Sequence, residues 1–177
     1  EISVREVRKE NLHNWLANST ETVRDSEGDL IYKEKLTLKA DVDQNTTQKI
    51  DLSKNISERM PGLYEVTLKD LNSNVSSSLR IQVTDMNIVA KKNIDKDGNI
   101  SLETWVLHSQ NNEQLSNVKL SVLSPSGSIT STCQTDTEGF CQLNIEKDEL
   151  KNPAYALYAE RTGDDGQAEL SYLTLTT

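Results

Sequence analysis

The residues best able to do chemistry in this chain are its two cysteines, Cys133 and Cys141, eight positions apart in "STCQTDTEGFCQLNI". Such a pair can form a disulfide, supply half of a metal site, or provide a nucleophile. A tetrahedral metal site needs two more ligands, and no histidine or third cysteine lies near in the sequence. A catalytic thiol needs a partner base and a setting that lowers its pKa, and nothing nearby offers either. Counting outward from the turn-like run Asp136-Thr137-Glu138-Gly139 sets the cysteines near opposite each other on two arms of a hairpin. Facing side chains there come within disulfide reach. The reading taken is a Cys133–Cys141 disulfide, which implies an oxidising compartment. The alternative is two free, half-buried thiols in a reducing one.

Other chemistry is sparse. Hydrolysis requires a nucleophile with a base, or paired carboxylates in a shielded cleft. The two histidines, His13 in "NLHNW" and His108 at the end of "ETWVLHS", lack any nucleophile context such as a G-x-S-x-G elbow. They read as ordinary surface or strand-end residues. "DKDGN" sets Asp95, Asp97 and Asn99 at the first, third and fifth places of a calcium loop. Gly98 stands fourth rather than sixth, however, and Val106 fills the place of the closing glutamate, so a hairpin turn explains the letters better. Five N-x-[ST] sequons, at Asn18, Asn45, Asn55, Asn74 and Asn99, occur in a chain rich in Asn, Ser and Thr. They carry weight only in a eukaryotic secreted protein. No catalytic residue, cofactor site or metal site is assigned.

The elements that must position these residues are set by composition. The 177 residues are 34% hydrophobic and 5% aromatic, so the core is built from Val, Leu and Ile. The length suits one large domain or two small ones. A formal net charge of -9, without a Lys/Arg cluster, excludes nucleic acid as an expected partner and basic attachment to a membrane surface. No apolar run approaches the roughly 20 residues of a membrane-spanning helix, and no signal peptide is readable. The start at Glu1 suggests a piece of a longer protein, with targeting information outside it.

Short runs such as "KLTLKADV", "LYEVTLKDL", "SLRIQVTD", "VKLSVLS" and "AYALYAE" are read as strands. In "VKLSVLS", Val118, Leu120 and Val122 fall on one side and Lys119, Ser121 and Leu123 on the other, the period of a half-buried strand. Between the runs lie "DSEGD", "DKDGN", "SPSGS", "DTEGF" and "GDDGQ", turn signals at hairpin spacing. The best helical stretch, "VRKENLHNWL", is short. Trp105 alternates into "LETWVLHS" and is expected in the core. The predicted architecture is all-β, with two serial antiparallel β-sandwich domains of immunoglobulin or fibronectin-III type, residues 1–83 and 84–177, abutting without a Pro/Gly/Ser linker.

An ordered set of segments carries a resemblance. Val83-Thr84-Asp85, Leu123 to Gly127, Thr135-Asp136-Thr137-Glu138-Gly139, Ala159 to Asp165 and Leu170 to Leu175 follow one another as landmarks. In this order they resemble a macroglobulin-like domain from the N-terminal side of bacterial alpha-2-macroglobulins. The first half, through "MPGLYEVTLKD" and "SSLRIQVTD", is similar to the domain preceding it. The match departs at the polar loop "HSQNNEQLSN". The family's thioester motif, Cys-Gly-Glu-Gln, is matched neither at Cys133, nor at Cys141, nor at Glu113-Gln114, so nothing reactive carries over.

The resemblance implies scaffold domains of a broad-spectrum protease inhibitor that traps attacking proteases in the bacterial cell envelope. It implies a periplasmic parent, a lipoprotein tethered to the inner membrane. Partners would be proteases, through the full-length parent, and neighbouring macroglobulin-like domains, with no direct membrane contact from this segment. The rival reading is an Ig-like stalk or ligand-binding module of a bacterial adhesin. An enzyme is the least favoured class.

Overall fold

The computed structural model describes residues 1–17, 28–37, 47–56, 61–124, 126–145, 156–163 and 166–175. The sequons at Asn18 and Asn45 lie outside these residues. In the first half the strands are β1 (Ile2–Val7), β2 (Gly28–Glu34), β3 (Gly62–Lys69) and β4 (Ser76–Val83), with helices α1 (Leu12–Ala17) and α2 (Ser53–Ile56). They form one antiparallel sheet in the order β2-β1-β3-β4. The second half supplies β5 (Met86–Ile94), β6 (Ile100–His108), β7 (Lys119–Leu123), β8 (Ile129–Gln134), β9 (Phe140–Ile145), β10 (Ala156–Thr162) and β11 (Ala168–Thr174). These make two sheets, β11-β10-β7-β8 and β5-β6-β9, packed as a sandwich. Among the described residues no helix is long and apolar enough to cross a membrane.

The sandwich core is aliphatic, as composition requires. Leu102 and Val106 from β6, Leu120 and Val122 from β7, Leu143 from β9 and Leu157 from β10 meet in it, all buried. Each such side chain contributes about 1.5–3 kcal/mol relative to exposure. Trp105 corrects an expectation. Period-two alternation turns Leu102, Thr104 and Val106 inward, so Trp105 faces outward and is only half-buried. It stands against Phe140, its register partner on β9, with ring centroids 5.2 Å apart.

The glycine turns are built alike. In "DKDGN" the Asp95 N–H donates to the Asn99 carbonyl at 3.0 Å, while Asp95 Oδ1 accepts the N–H groups of Asp97 and Asn99. In "DTEGF" the Asp136 N–H donates to the Phe140 carbonyl, and Asp136 Oδ1 accepts those of Glu138 and Phe140. Each turn closes at a glycine of positive φ, 88° at Gly98 and 68° at Gly139. At Gly139 an added Cβ would lie 2.7 Å from the Val106 carbonyl, so both conformation and space demand glycine.

The "DTEGF" turn does not close a ladder within one sheet. It carries the chain from β8 in one sheet to β9 in the other. The Cys133–Cys141 disulfide, with Cα atoms 6.1 Å apart, therefore ties the two sheets together rather than two paired strands of a single sheet.

Candidate functional site

Strands β7 and β10 point to where the two halves meet. Their inward residues fill the sandwich, yet the outward ones, Ser121, Leu123, Ala156 and Tyr158, are also buried. A strand buried on both faces reads as a continuous apolar run. "AYALYA" is such a run, and that is the signal the alternating reading passed over. What covers the outer face is the first half. Val7, Leu12, Trp15, Leu16 and Leu63 share a cluster with Leu123, Ala156 and Tyr158, with Leu170 and Tyr172 packed against it.

Helix α1 is the plug of this seam. It is one and a half turns long, preceded by a turn of 3-10 helix at Lys9–Asn11, and no side chain caps that turn. An isolated helix so short is unstable in water, so packing must hold it. Trp15 is 3% exposed. Its ring meets Tyr172 edge-on at a centroid distance of 5.7 Å, and the Arg80 guanidinium lies 4.9 Å from its centroid. Its Nε1 donates to Glu65 Oε2 at 3.0 Å. Glu65, 2% exposed on β3, is the acidic interruption of "GLYEVTL". A carboxylate buried this deeply would be costly without partners.

Polar contacts stitch the margins. The Gln82 side chain on β4 donates from Nε2 to the Tyr172 carbonyl at 3.2 Å, and its Oε1 accepts the Tyr172 N–H at 3.0 Å. The Ser171 hydroxyl lies 3.3 Å from both Gln82 Oε1 and the Met86 carbonyl. Lys9 reaches Glu160 at 2.6 Å and sits over the Tyr158 ring. His13 packs its ring against Gly127 in the β7–β8 turn, where φ is +84°. Burial pushes the Tyr158 hydroxyl well above the usual phenol range, with help from Glu160 and Glu10. Burial also raises Tyr172, against the opposing pull of Arg80.

The sequence-derived candidates fall in separate places. The two cysteines are brought together. His13 is in α1 at the seam, whereas His108 ends β6 and accepts the Gln110 N–H on Nδ1 at 3.2 Å. The polar loop following it is pinned by the His108 N–H to the Glu113 carbonyl at 2.8 Å, and Asn112 and Asn117 adopt positive φ. In "DKDGN" hydrogen bonds from Asn99 hold the Asp95 carboxyl below its ordinary range, leaving it a turn residue. Among the described residues no group of three His, Cys, Asp or Glu could hold a metal ion. Sequence reading did not single out Glu65, Arg80, Gln82 or Tyr158.

No family model matches the sequence, and no curated protein sequence matches it. Solved structures do. Native alpha-2-macroglobulin from Escherichia coli spanning domains MG0-NIE-MG1 superposes with a TM-score of 0.75 at 18% identity, over 99% of this chain and 54% of that one. The piece spanning NIE-MG1 gives 0.73 at 17% identity, over 98% of this chain and 82% of that one. A Salmonella alpha-2-macroglobulin variant gives 0.67 at 19% identity, over 99% of this chain and 10% of that one. The chain thus spans about half the length of the first of these structures. What the likeness establishes is the fold: this is an all-β chain built like the NIE-MG1 segment of bacterial alpha-2-macroglobulin.

Proposed function

We propose that this chain is a non-catalytic scaffold segment of a bacterial alpha-2-macroglobulin-like protease inhibitor, working in the cell envelope. In this reading its two domains are residues 1–83 and 84–177. The parent traps attacking proteases, and this segment holds neighbouring macroglobulin-like domains at fixed geometry while the trap acts. A periplasmic lipoprotein parent fits the disulfide, which persists in oxidising compartments.

The observation that carries this reading is the seam. Joined domains move relative to one another by default unless their interface is large and apolar. Here Trp15 and Tyr158 are buried between the halves, with Leu12, Leu63 and Leu123 around them. A strut of this kind transmits displacement instead of absorbing it as hinge motion.

The test is to purify the full-length parent and treat it with proteases of differing specificity. Hydrolysis of a large protein substrate and of a small peptide substrate is then compared. Trapping predicts that the large substrate is protected while small-peptide hydrolysis persists. Equal hydrolysis of the large substrate with and without the parent would refute the proposal.

A further inference from the structure

We infer that two copies of this chain pair through strand β4, edge to edge and antiparallel, joining their first-half sheets into one continuous sheet. An edge strand presents unpaired N–H and C=O groups, and proteins guard such edges with charges, proline or a bulge. The two edges of this sheet differ in that respect. β2 carries Asp29, Lys33 and Glu34, and its register with β1 shifts between Val4 and Arg5. β4 pairs with β3 in unbroken register, and its first residues, Ser76-Ser77-Ser78-Leu79, are exposed and uncharged. Apolar surface gathers beside this unguarded edge. Of the eight large hydrophobic residues exposed among the described residues, four lie here: Leu68, Leu71, Val75 and Leu79, the last two at 66% and 63%. Leu68, Leu71 and Val75 line an open groove of about 610 Å³. Apolar surface grouped in this way marks an interaction site.

A second copy supplies what the edge lacks. The far end of β4 is engaged through Gln82 with Tyr172, so its start is the part open to pairing. With Ser77 on a two-fold axis, Ser76 stands opposite Ser78, and Val75 stands opposite Leu79 on the face that carries the groove. Arg80 meets Asn74, so no like charges face each other across the strands. Asn74, with φ 60°, turns the chain and ends the pairing. The contact is isologous and closes at two copies. One strand and a few side chains fall below the roughly 1,200 Å² of standard interfaces, so the dimer is weak and concentration-dependent. It stands apart from protease trapping.

The test uses the 177-residue chain. Analytical ultracentrifugation from about 10 μM to about 1 mM, the range of weak affinities, should show the mass doubling as concentration rises. The mass of one chain throughout would overturn the proposal. Ser77→Lys sets two ammonium groups face to face on the axis, at an exposed position where folding is not at stake. It should abolish the doubling and leave the melting temperature of the dilute chain unchanged. A dimer that survives Ser77→Lys uses another surface and counts against the proposal. Ser77→Cys reads the register. Paired Cα atoms on the axis lie about 4.5–5.5 Å apart, within disulfide reach, so this variant should cross-link in air. Val89→Cys, exposed on β5, should not. Equal cross-linking of the two variants would refute the pairing.

Discussion

Gln82 holds the backbone of Tyr172 as a neighbouring strand would, donating to its carbonyl at 3.2 Å and accepting its N–H at 3.0 Å. The side chain comes from β4 of the first half and the backbone from β11 of the second. Gln82→Ala is expected to cost about 1 kcal/mol, because water replaces part of what is lost at this exposed margin. Urea denaturation measures the cost. Faster hydrogen exchange at the Tyr172 amide should accompany it, and unchanged exchange would rule out the clamp.

Trp15 should be the most costly single truncation at the seam. Trp15→Ala removes a buried ring, its edge contact with Tyr172 and its place under Arg80, with an expected loss of about 3–5 kcal/mol. Trp15→Phe keeps most of the packing and takes away the Nε1 donor to Glu65. Its expected cost is about 1–3 kcal/mol, the range for depriving a buried acceptor. Chemical denaturation of the three proteins should rank them in that order.

Gly127→Ala tests the contact of the β7–β8 turn with α1. The φ of +84° costs an L-residue about 1–2 kcal/mol, and the new methyl would press on the His13 ring, 2.9 Å from the added carbon. Adding His13→Ala should recover the steric part and leave the conformational part. Strict additivity of the two changes would show that the turn and helix do not touch.

Alkaline stability follows from Tyr158, whose folded pKa lies above its unfolded value. The unfolded phenol titrates near pH 10. Below that pH both states keep the proton and stability does not depend on this group. As pH rises above about 10 the unfolded state releases its proton first, so stability falls. Thermal melts between pH 8 and 11 should be flat and then decline. In Tyr158→Phe the decline should be smaller, with Tyr172 contributing the remainder.

Breaking the disulfide should weaken the sandwich without abolishing its fold. A loop this short corresponds to about 2–3 kcal/mol in the chain-entropy account. Cys133→Ser with Cys141→Ser should shift the urea midpoint by that amount. Reductant should shift the parent chain alike and leave the double variant unmoved.

Much of the fold was legible because period two is a strong local signal. Val118, Leu120 and Val122 all point into the core as their spacing foretells. The turns of "DKDGN" and "DTEGF" were legible because aspartate and glycine answer to local backbone needs. Trp105 was misplaced because alternation alone does not say which phase faces inward, and the buried phase is the one set by Leu102 and Val106. The sheet-to-sheet crossing at Asp136–Gly139 was not legible, since a hairpin and a crossing use the same turn letters. The seam was hidden for a related reason. Glu65 and Gln82 look like solvent-facing residues until the partner surface is known, because their contacts lie far away in sequence.

Strand β10 belongs to two cores at once, with Leu157 and Ala159 in the sandwich and Ala156 and Tyr158 in the seam. It lies between β7 and β11, yet it enters near the end of the chain. Neither of these two cores can close before residues 156–162 arrive, so the seam and the sandwich must gain their final structure together, whereas the first half's own cluster of Ile2, Val4, Tyr64 and Val66 does not use that strand. Unfolding should accordingly be a single cooperative event, with Trp15 and Trp105 fluorescence reporting one shared midpoint from opposite halves. During synthesis the sandwich and the seam wait on the last hairpin, and the apolar faces it will cover stay exposed until then.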